Sequence, residues 1–115
     1  MITQLISKAA TKKVLFVGET INDVYHFGKS LGRPLKEAII CVEHLYTQRY
    51  TGGVVAAANH ARDFVGSVDV MSALCVTKER YLESAKVRKL FEVYSGTEHI
   101  PTMYPDFRDY DLVVV

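Results

Sequence analysis

The chain is short of the residues that mark several classes of protein. Its 115 residues include no tryptophan, only three prolines and only two cysteines. Cys41 and Cys75 lie far apart and form no C-x-x-C pair. A disulfide framework is therefore not predicted, and we expect reduced thiols in a cytoplasmic protein.

The chain also has no large excess of positive or negative charge and no long apolar run. The formal net charge is +1, without a basic block or an acidic tail, so the sequence predicts neither nucleic acid nor a membrane as a partner. No apolar run approaches the roughly 20 residues that a membrane-spanning helix needs. The N-terminal segment MITQLISKAATKK is too polar for a signal peptide and instead predicts a short amphipathic helix.

What is present suits one globular domain with alternating strands and helices. Hydrophobic residues make up 49% of the chain and charged residues 23%. Short apolar runs predict core strands, a turn-rich segment follows the first of them, and β-rich pieces follow that segment. The predicted strands are 14–17, 68–74 and 111–115, the turn-rich segment is 21–34, and the β-rich pieces are 38–42 and 45–50.

Two helices are predicted between these strands. Apolar residues recur at helical spacing from Val54, and Thr51 is a candidate N-cap. The second predicted helix covers 77–96, with Thr77 as its cap and Gly96 at its end. Residues 97–103 are predicted to be extended and 105–109 to form a loop. The second helix has the apolar stripe Val87, Leu90, Phe91 and Tyr94.

This order predicts an α/β fold whose helices cover a mostly parallel sheet. The β-rich pieces then form a small insertion, which is unusual in such a fold. A buried parallel strand is normally followed by a covering helix, so the strand at 111–115 predicts that the chain is a piece of a larger protein.

Polar residues follow the first predicted strand. Ligands of open α/β sheets bind beyond the carboxyl ends of the strands, where Glu19, Asn22 and Asp23 are expected. Their carboxylates and amides suit hydrogen bonding to vicinal hydroxyls. The alternative is that Asn22 and Asp23 only form a turn.

The second motif is the pair Gly52 and Gly53 directly before a helix. Backbone N–H groups at a helix start can bind polar ligand groups, and glycines let a ligand approach the backbone. The surrounding residues fit neither a P-loop nor a dinucleotide fingerprint, and a tight turn or a close approach of another strand would explain the pair equally well. Asn59 and His60 lie on the polar side of this helix, where they either face solvent or point toward the strand ends.

Metal and nucleophile chemistry have little support in the sequence. None of the four histidines is spaced from another as metal ligands on a helix are, and no G-x-S-x-G motif is present. We therefore predict no metal site. The histidines are His26, His44, His60 and His99.

Taken in order, the strand, the acidic segment, the β insertion and the glycine pair resemble the N-terminal part of ribokinase-like (PfkB-type) carbohydrate kinases. The resemblance is closest to the heptose-phosphate kinase branch and covers about residues 12–76. It implies a partial ribokinase-like three-layer fold in which residues 35–51 form a β lid over the sugar and a surface for homodimerisation. It also implies that Asp23, Gly52 and Gly53 bind a sugar or sugar phosphate, and Asn22 and Asn59 are further candidates for substrate binding.

The chain departs from this family in two respects. Many members have an asparagine shortly after the glycines, whereas here Val55, Ala56 and Ala57 precede the nearest one, Asn59. The family's G-A-G-D-type motif, with its catalytic base, and its nucleotide pocket lie further downstream. The resemblance thus implies that ATP and Mg²⁺ serve the intact protein, and that this chain alone is inactive with no catalytic residue of its own.

Two other interpretations remain open. The chain could be a non-enzymatic, kinase-like module that binds sugar or dimerises through its β insertion. It could also be a generic α/β nucleotide-binding domain of flavodoxin-like type, although that fold leaves the β insertion unexplained.

Overall fold

The protein is an α/β protein with two separate sheets. The computed structural model describes residues 1–98, 101 and 103–115, so His99 and part of the predicted extended segment lie outside the described residues. The chain divides into two compact units. The first comprises Met1–Ile21, Thr51–Val76 and Gly96–Val115, and the second comprises Asn22–Tyr50 and Thr77–Ser95.

The helices and strands alternate irregularly along the chain. In chain order they are α1 (Ile2–Ala9), β1 (Lys13–Val17), β2 (Thr20–Gly32), β3 (Cys41–Gly53), α2 (Val54–Ala61), β4 (Ser67–Met71), β5 (Leu74–Glu83), β6 (Arg88–Glu98), a 3-10 turn (Phe107–Asp109) and β7 (Leu112–Val114).

The first unit contains a parallel three-stranded sheet in the order β4-β1-β7. Its register pairs Val14 with Val68 and with Leu112. Val14 and Leu15 point to opposite faces of β1, yet both are buried, as expected for the central strand of a parallel sheet. This sheet confirms the three predicted core strands and their parallel arrangement.

Helix α2 packs against β1 and β4. Val54 and Ala58, one helical turn apart, are its buried residues, so the predicted amphipathic helix is confirmed. Its predicted cap is wrong, because Thr51 lies in β3 and Gly53 occupies the N-cap position. The predicted N-terminal helix is confirmed as α1.

The second unit is built on a four-stranded sheet in the order β3-β2-β5-β6, which we call the mixed sheet. Contacts between β2 and β5 advance together along both strands, from Asp23 with Arg80 to Gly28 with Ser84, so this pair is parallel. Contacts of β2 with β3, and of β5 with β6, run in opposite directions. Val24 and Leu82 are the buried hydrophobic residues of this unit.

Two of the predictions for this region are wrong. The segment 21–34 is not turn-rich, because most of it belongs to the 13-residue strand β2. The helix predicted at 77–96 is instead β5, a turn at 84–87 and β6. Thr77 and Gly96, expected to bound that helix, both lie within strands. Neighbouring strands supply backbone partners and stacking rings here, and these tertiary contacts outweigh the helical spacing of the apolar stripe.

Candidate functional site

The predicted site residues fall into both units. Asn22 and Asp23 lie on β2 in the unit with the mixed sheet. Gly52, Gly53 and Asn59 belong to the unit with the parallel sheet. Asp23 therefore projects from a strand and not from the loop that the sequence predicted.

Asp23 is held by a cation that the sequence analysis missed. Its Oδ1 accepts a hydrogen bond from Nη1 of Arg80 on the neighbouring strand β5. Both side chains are about four-fifths shielded from solvent, with exposed fractions of 22% for Asp23 and 18% for Arg80. The hydrogen bond to Asp23 is the main cause of a raised Arg80 pKa, so the guanidinium stays charged.

Arg80 is itself fixed from two further sides. Its Nε donates to Glu92 Oε1 at 3.2 Å, and its guanidinium carbon lies 5.1 Å from the centroid of the Tyr25 ring. A planar guanidinium with a carboxylate on either side and an aromatic ring near it has little rotational freedom. The Asp23 carboxylate is consequently held in a defined orientation.

Glu92 links this group to the next strand. It pairs with Lys89 and accepts a hydrogen bond from the Tyr94 hydroxyl. These two hydrogen bonds, with that to Lys89 the larger cause, lower the pKa of Glu92 to about 2, and the Glu92 carboxylate raises the pKa of Tyr94. The whole set forms a polar network, which we call the Asp23 network: Asp23, Tyr25, Arg80, Lys89, Glu92 and Tyr94.

The sequence carries no local signal for Arg80. Polar and apolar residues do not alternate in Thr77–Glu83, because Lys78, Glu79 and Arg80 follow one another. Only the placement of this segment beside β2 brings the Arg80 cation close to Asp23.

A second polar set also lies in the unit with the mixed sheet and involves two of the histidines. Thr47 Oγ1 lies 3.1 Å from His26 Nδ1 and 2.8 Å from His44 Nε2. His26 Nε2 lies 3.3 Å from Glu79 Oε1, and its ring stacks on Tyr81 with centroids 4.4 Å apart. Among the described residues, no group of three or more His, Cys, Asp and Glu side chains is placed to bind a metal ion.

Of the glycine pair, Gly53 has a structural role in the other unit. Gly53 has φ of +64°, and a Cβ atom there would lie 2.3 Å from the carbonyl oxygen of Glu19. The Val54 N–H, first in helix α2, donates to that same oxygen at 2.9 Å. Close approach of the chain after β1 therefore accounts for Gly53, and the first amide of the helix already has a partner.

Asn59 lies on the exposed side of α2. Its Oδ1 accepts a hydrogen bond from Arg62 Nη1 at 2.9 Å. Together with Thr51, Ala56, His60 and Asp63 it lines a shallow cleft of ≈ 330 Å³ within the same unit. The sequence left open whether Asn59 and His60 face solvent or point toward the strand ends, and both residues are exposed in the structure.

Comparison with known proteins does not assign the chain to a family. No protein-family model and no curated protein matches the chain. Within the described residues, no helix is both long and apolar enough to cross a bilayer.

Proposed function

We propose that the chain is the substrate-side portion of an ATP-dependent sugar or sugar-phosphate kinase, and that Asp23 binds sugar hydroxyls. The observation that carries the proposal is the fixed Asp23 carboxylate. Arg80 engages its Oδ1, and among the described residues its Oδ2 has no partner. A carboxylate oxygen held in this way accepts hydrogen bonds from hydroxyl groups without first losing side-chain freedom.

The remaining predicted contacts belong to the same proposal. On the resemblance to the carbohydrate kinases, we count Asn22, Gly52, Gly53 and Asn59 as further candidates for substrate binding. Asn22 has interactions of its own in the structure. Gly53 has a sufficient structural reason to be glycine, so its contribution to sugar binding rests on the resemblance to the carbohydrate kinases.

The described residues do not by themselves account for phosphoryl transfer. That reaction requires a base within hydrogen-bond reach of the attacking hydroxyl and charge stabilisation at the transferred phosphoryl group. In this proposal, ATP and Mg²⁺ act in the intact kinase.

A direct binding experiment tests the role of Asp23. The chain is titrated with neutral sugars and sugar phosphates, and amide chemical shifts are followed by NMR. We expect shifts near Asp23 on β2, and about tenfold weaker binding in Asp23→Asn, which keeps the shape but removes the charge. Asp109→Asn, an exposed carboxylate in the 3-10 turn, is the matched control.

Equal affinity in Asp23→Asn and in the unmodified chain would remove Asp23 from the site. A phosphorylation assay of the natural gene product with ATP and the sugars that bind then tests the kinase assignment. If the sugars bind but ATP is never consumed, the non-enzymatic sugar-binding module becomes the better interpretation.

Exposed rings on the mixed sheet support dimerisation as a second part of the proposal. Tyr46 stacks on Phe27 with centroids 4.7 Å apart and is still 47% exposed, and Tyr50 is 56% exposed. Both lie on β3, which is an edge strand. Aromatic side chains on an exposed sheet are typical of protein interfaces, so we propose a homodimer that buries this part of the lid.

A further inference from the structure

The mixed sheet carries a second cleft, lined where β2 ends and β5 turns into β6. Its volume is ≈ 570 Å³, which is within the range of small-molecule sites. Four cationic side chains line it, from Arg33, Lys86, Arg88 and Lys89, together with one carboxylate, Glu83. We call it the basic cleft.

Most of the positive charge in this cleft is uncompensated. Within the described part of the chain, no carboxylate lies at ion-pair distance from Arg33, Lys86 or Arg88. Lys89 pairs with Glu92 of the Asp23 network. Glu83 accepts a hydrogen bond from the backbone N–H of Lys86 at 3.0 Å. Three cations therefore face one carboxylate, although the whole chain is nearly neutral.

The turn that bears two of these cations has a defined backbone. Ser84 N–H donates to the carbonyl of Gly28 at 2.8 Å, which ties the start of the turn to β2. Val87, between Lys86 and Arg88, has φ of +50°. A β-branched residue adopts that conformation only where its surroundings enforce it. Lys86 and Arg88 are thus attached to a restrained segment.

The basic cleft adjoins the Asp23 network, because Lys89 lines the cleft and pairs with Glu92. Its far end lies along β2, where Gly32 follows Asp23 by nine residues, about 30 Å at about 3.3 Å per residue. The Asp23 carboxylate suits hydroxyl groups, whereas the unpaired cations of the cleft suit an anion.

We propose that the basic cleft binds a small multivalent anion with two or more linked phosphate groups. Three unpaired cations beside the single Glu83 carboxylate leave a net positive charge for the oxygens of a diphosphate. The two arginines supply planar forks for phosphate oxygens, and Ser30 at the rim adds a hydroxyl. The diphosphate moiety comes either from a nucleotide or from free inorganic pyrophosphate. This inference does not depend on the proposed kinase activity.

The test titrates the unmodified chain with pyrophosphate, ADP and inorganic phosphate, measured by calorimetry and by amide chemical shifts. We expect pyrophosphate and ADP to shift amides at 30–33 and 83–90, and inorganic phosphate to bind at least about tenfold more weakly. Tighter binding of ADP than of pyrophosphate identifies a nucleotide as the source, and equal binding identifies the free anion. Absence of binding, or shifts spread over all lysines, overturns the proposal.

A charge-matched pair of variants separates the cleft from general electrostatics. Lys86→Gln with Arg88→Gln should weaken pyrophosphate binding about tenfold, as expected for two exposed charge contacts. Lys8→Gln with Lys36→Gln removes the same charge from exposed positions that do not line the cleft, and should leave the affinity within about twofold. Equal losses in both variants overturn the proposal. Circular dichroism checks that the variants fold. If the cleft variant misfolds, the amide chemical shifts of the unmodified chain on titration with pyrophosphate test the proposal instead.

Discussion

Glu92 is the single side chain whose titration reports most directly on the Asp23 network. It contacts Lys89, Tyr94 and Arg80, and its pKa is lowered from the ordinary 4.5 to about 2. A carboxylate with a lowered pKa stabilises the folded state above its unfolded pKa, and this contribution is lost as the pH falls through the folded value. The relevant window therefore lies between about pH 4.5 and pH 2.

We predict that Glu92→Gln lowers the melting temperature near pH 6, and that the difference from the unmodified chain shrinks as the pH falls toward 2. Glu98→Gln, at an exposed position on the same strand, is the control and should leave the profile unchanged. An NMR titration that places the Glu92 midpoint near 4.5 would show that the network does not form in solution.

At the residue scale, a side chain at Gly53 would have two separate costs in stability, one from the backbone conformation and one from a steric clash. Its φ is positive, and its Cβ position lies against the Glu19 carbonyl. Gly32 also has a positive φ, of +87°, but no atom lies within 4 Å of its Cβ position. An alanine at Gly32 therefore meets only the backbone cost, whereas at Gly53 it meets both.

We predict that Gly53→Ala lowers the free energy of unfolding by about 2 kcal/mol or more, and that Gly32→Ala lowers it by about 1 kcal/mol. Chemical denaturation measures both. Equal losses would mean that the chain near Glu19 shifts to admit a methyl group, and the structural account of Gly53 would then fail.

At the scale of elements, the turn between β5 and β6 distinguishes the observed hairpin from the helix that the sequence predicted for residues 77–96. Val87 has a positive φ in this turn, which is costly for a β-branched residue. Asparagine tolerates that conformation well, and in a helix interior it is no better than valine.

We therefore predict that Val87→Asn raises the free energy of unfolding by about 1 kcal/mol. Ala85→Asn, in the same turn but at a residue without a positive φ, should bring no gain. An unchanged or lower stability in Val87→Asn would favour a helix at this place and contradict the hairpin.

The parallel sheet was predictable from sequence because β1 and β7 contain continuous apolar runs, which needed no knowledge of their neighbours. Residues 77–96 were not predictable in this way. Leu90, Phe91 and Tyr94 fit a helical stripe, but a strand with contacts on both faces accommodates them equally well. The choice depends on β2, more than 50 residues away along the chain, and a local pattern does not contain that partner.

The same reasoning applies to the candidate site. The sequence singles out Asp23 because it follows the first strand closely. Its partner Arg80 was missed, because the contact depends on the parallel pairing of β2 with β5. The glycine pair was recognised as unusual, yet only coordinates show that the Glu19 carbonyl occupies the space beside Gly53.

At the scale of the whole molecule, the buried core is small and much apolar surface is exposed. The buried hydrophobic residues of the described chain are Val14, Leu15, Val24, Val54, Ala58 and Leu82. Large hydrophobic side chains remain exposed on the edge strand β7, where Leu112 is 54% and Val114 36% accessible. An apolar edge strand with unpaired backbone groups favours association with further chains.

We predict that the 115-residue chain self-associates with rising concentration, as measured by sedimentation velocity, and that Leu112→Lys with Val114→Lys shifts it toward monomer. Lysine on an edge strand opposes strand addition through charge and desolvation. Phe64→Lys with Met103→Lys makes the same change at exposed positions outside any strand and outside the lid. If this control disperses the chain equally well, net charge is the cause. If the unmodified chain is a monomer at all concentrations and melts cooperatively at high temperature, the exposed edge does not drive association.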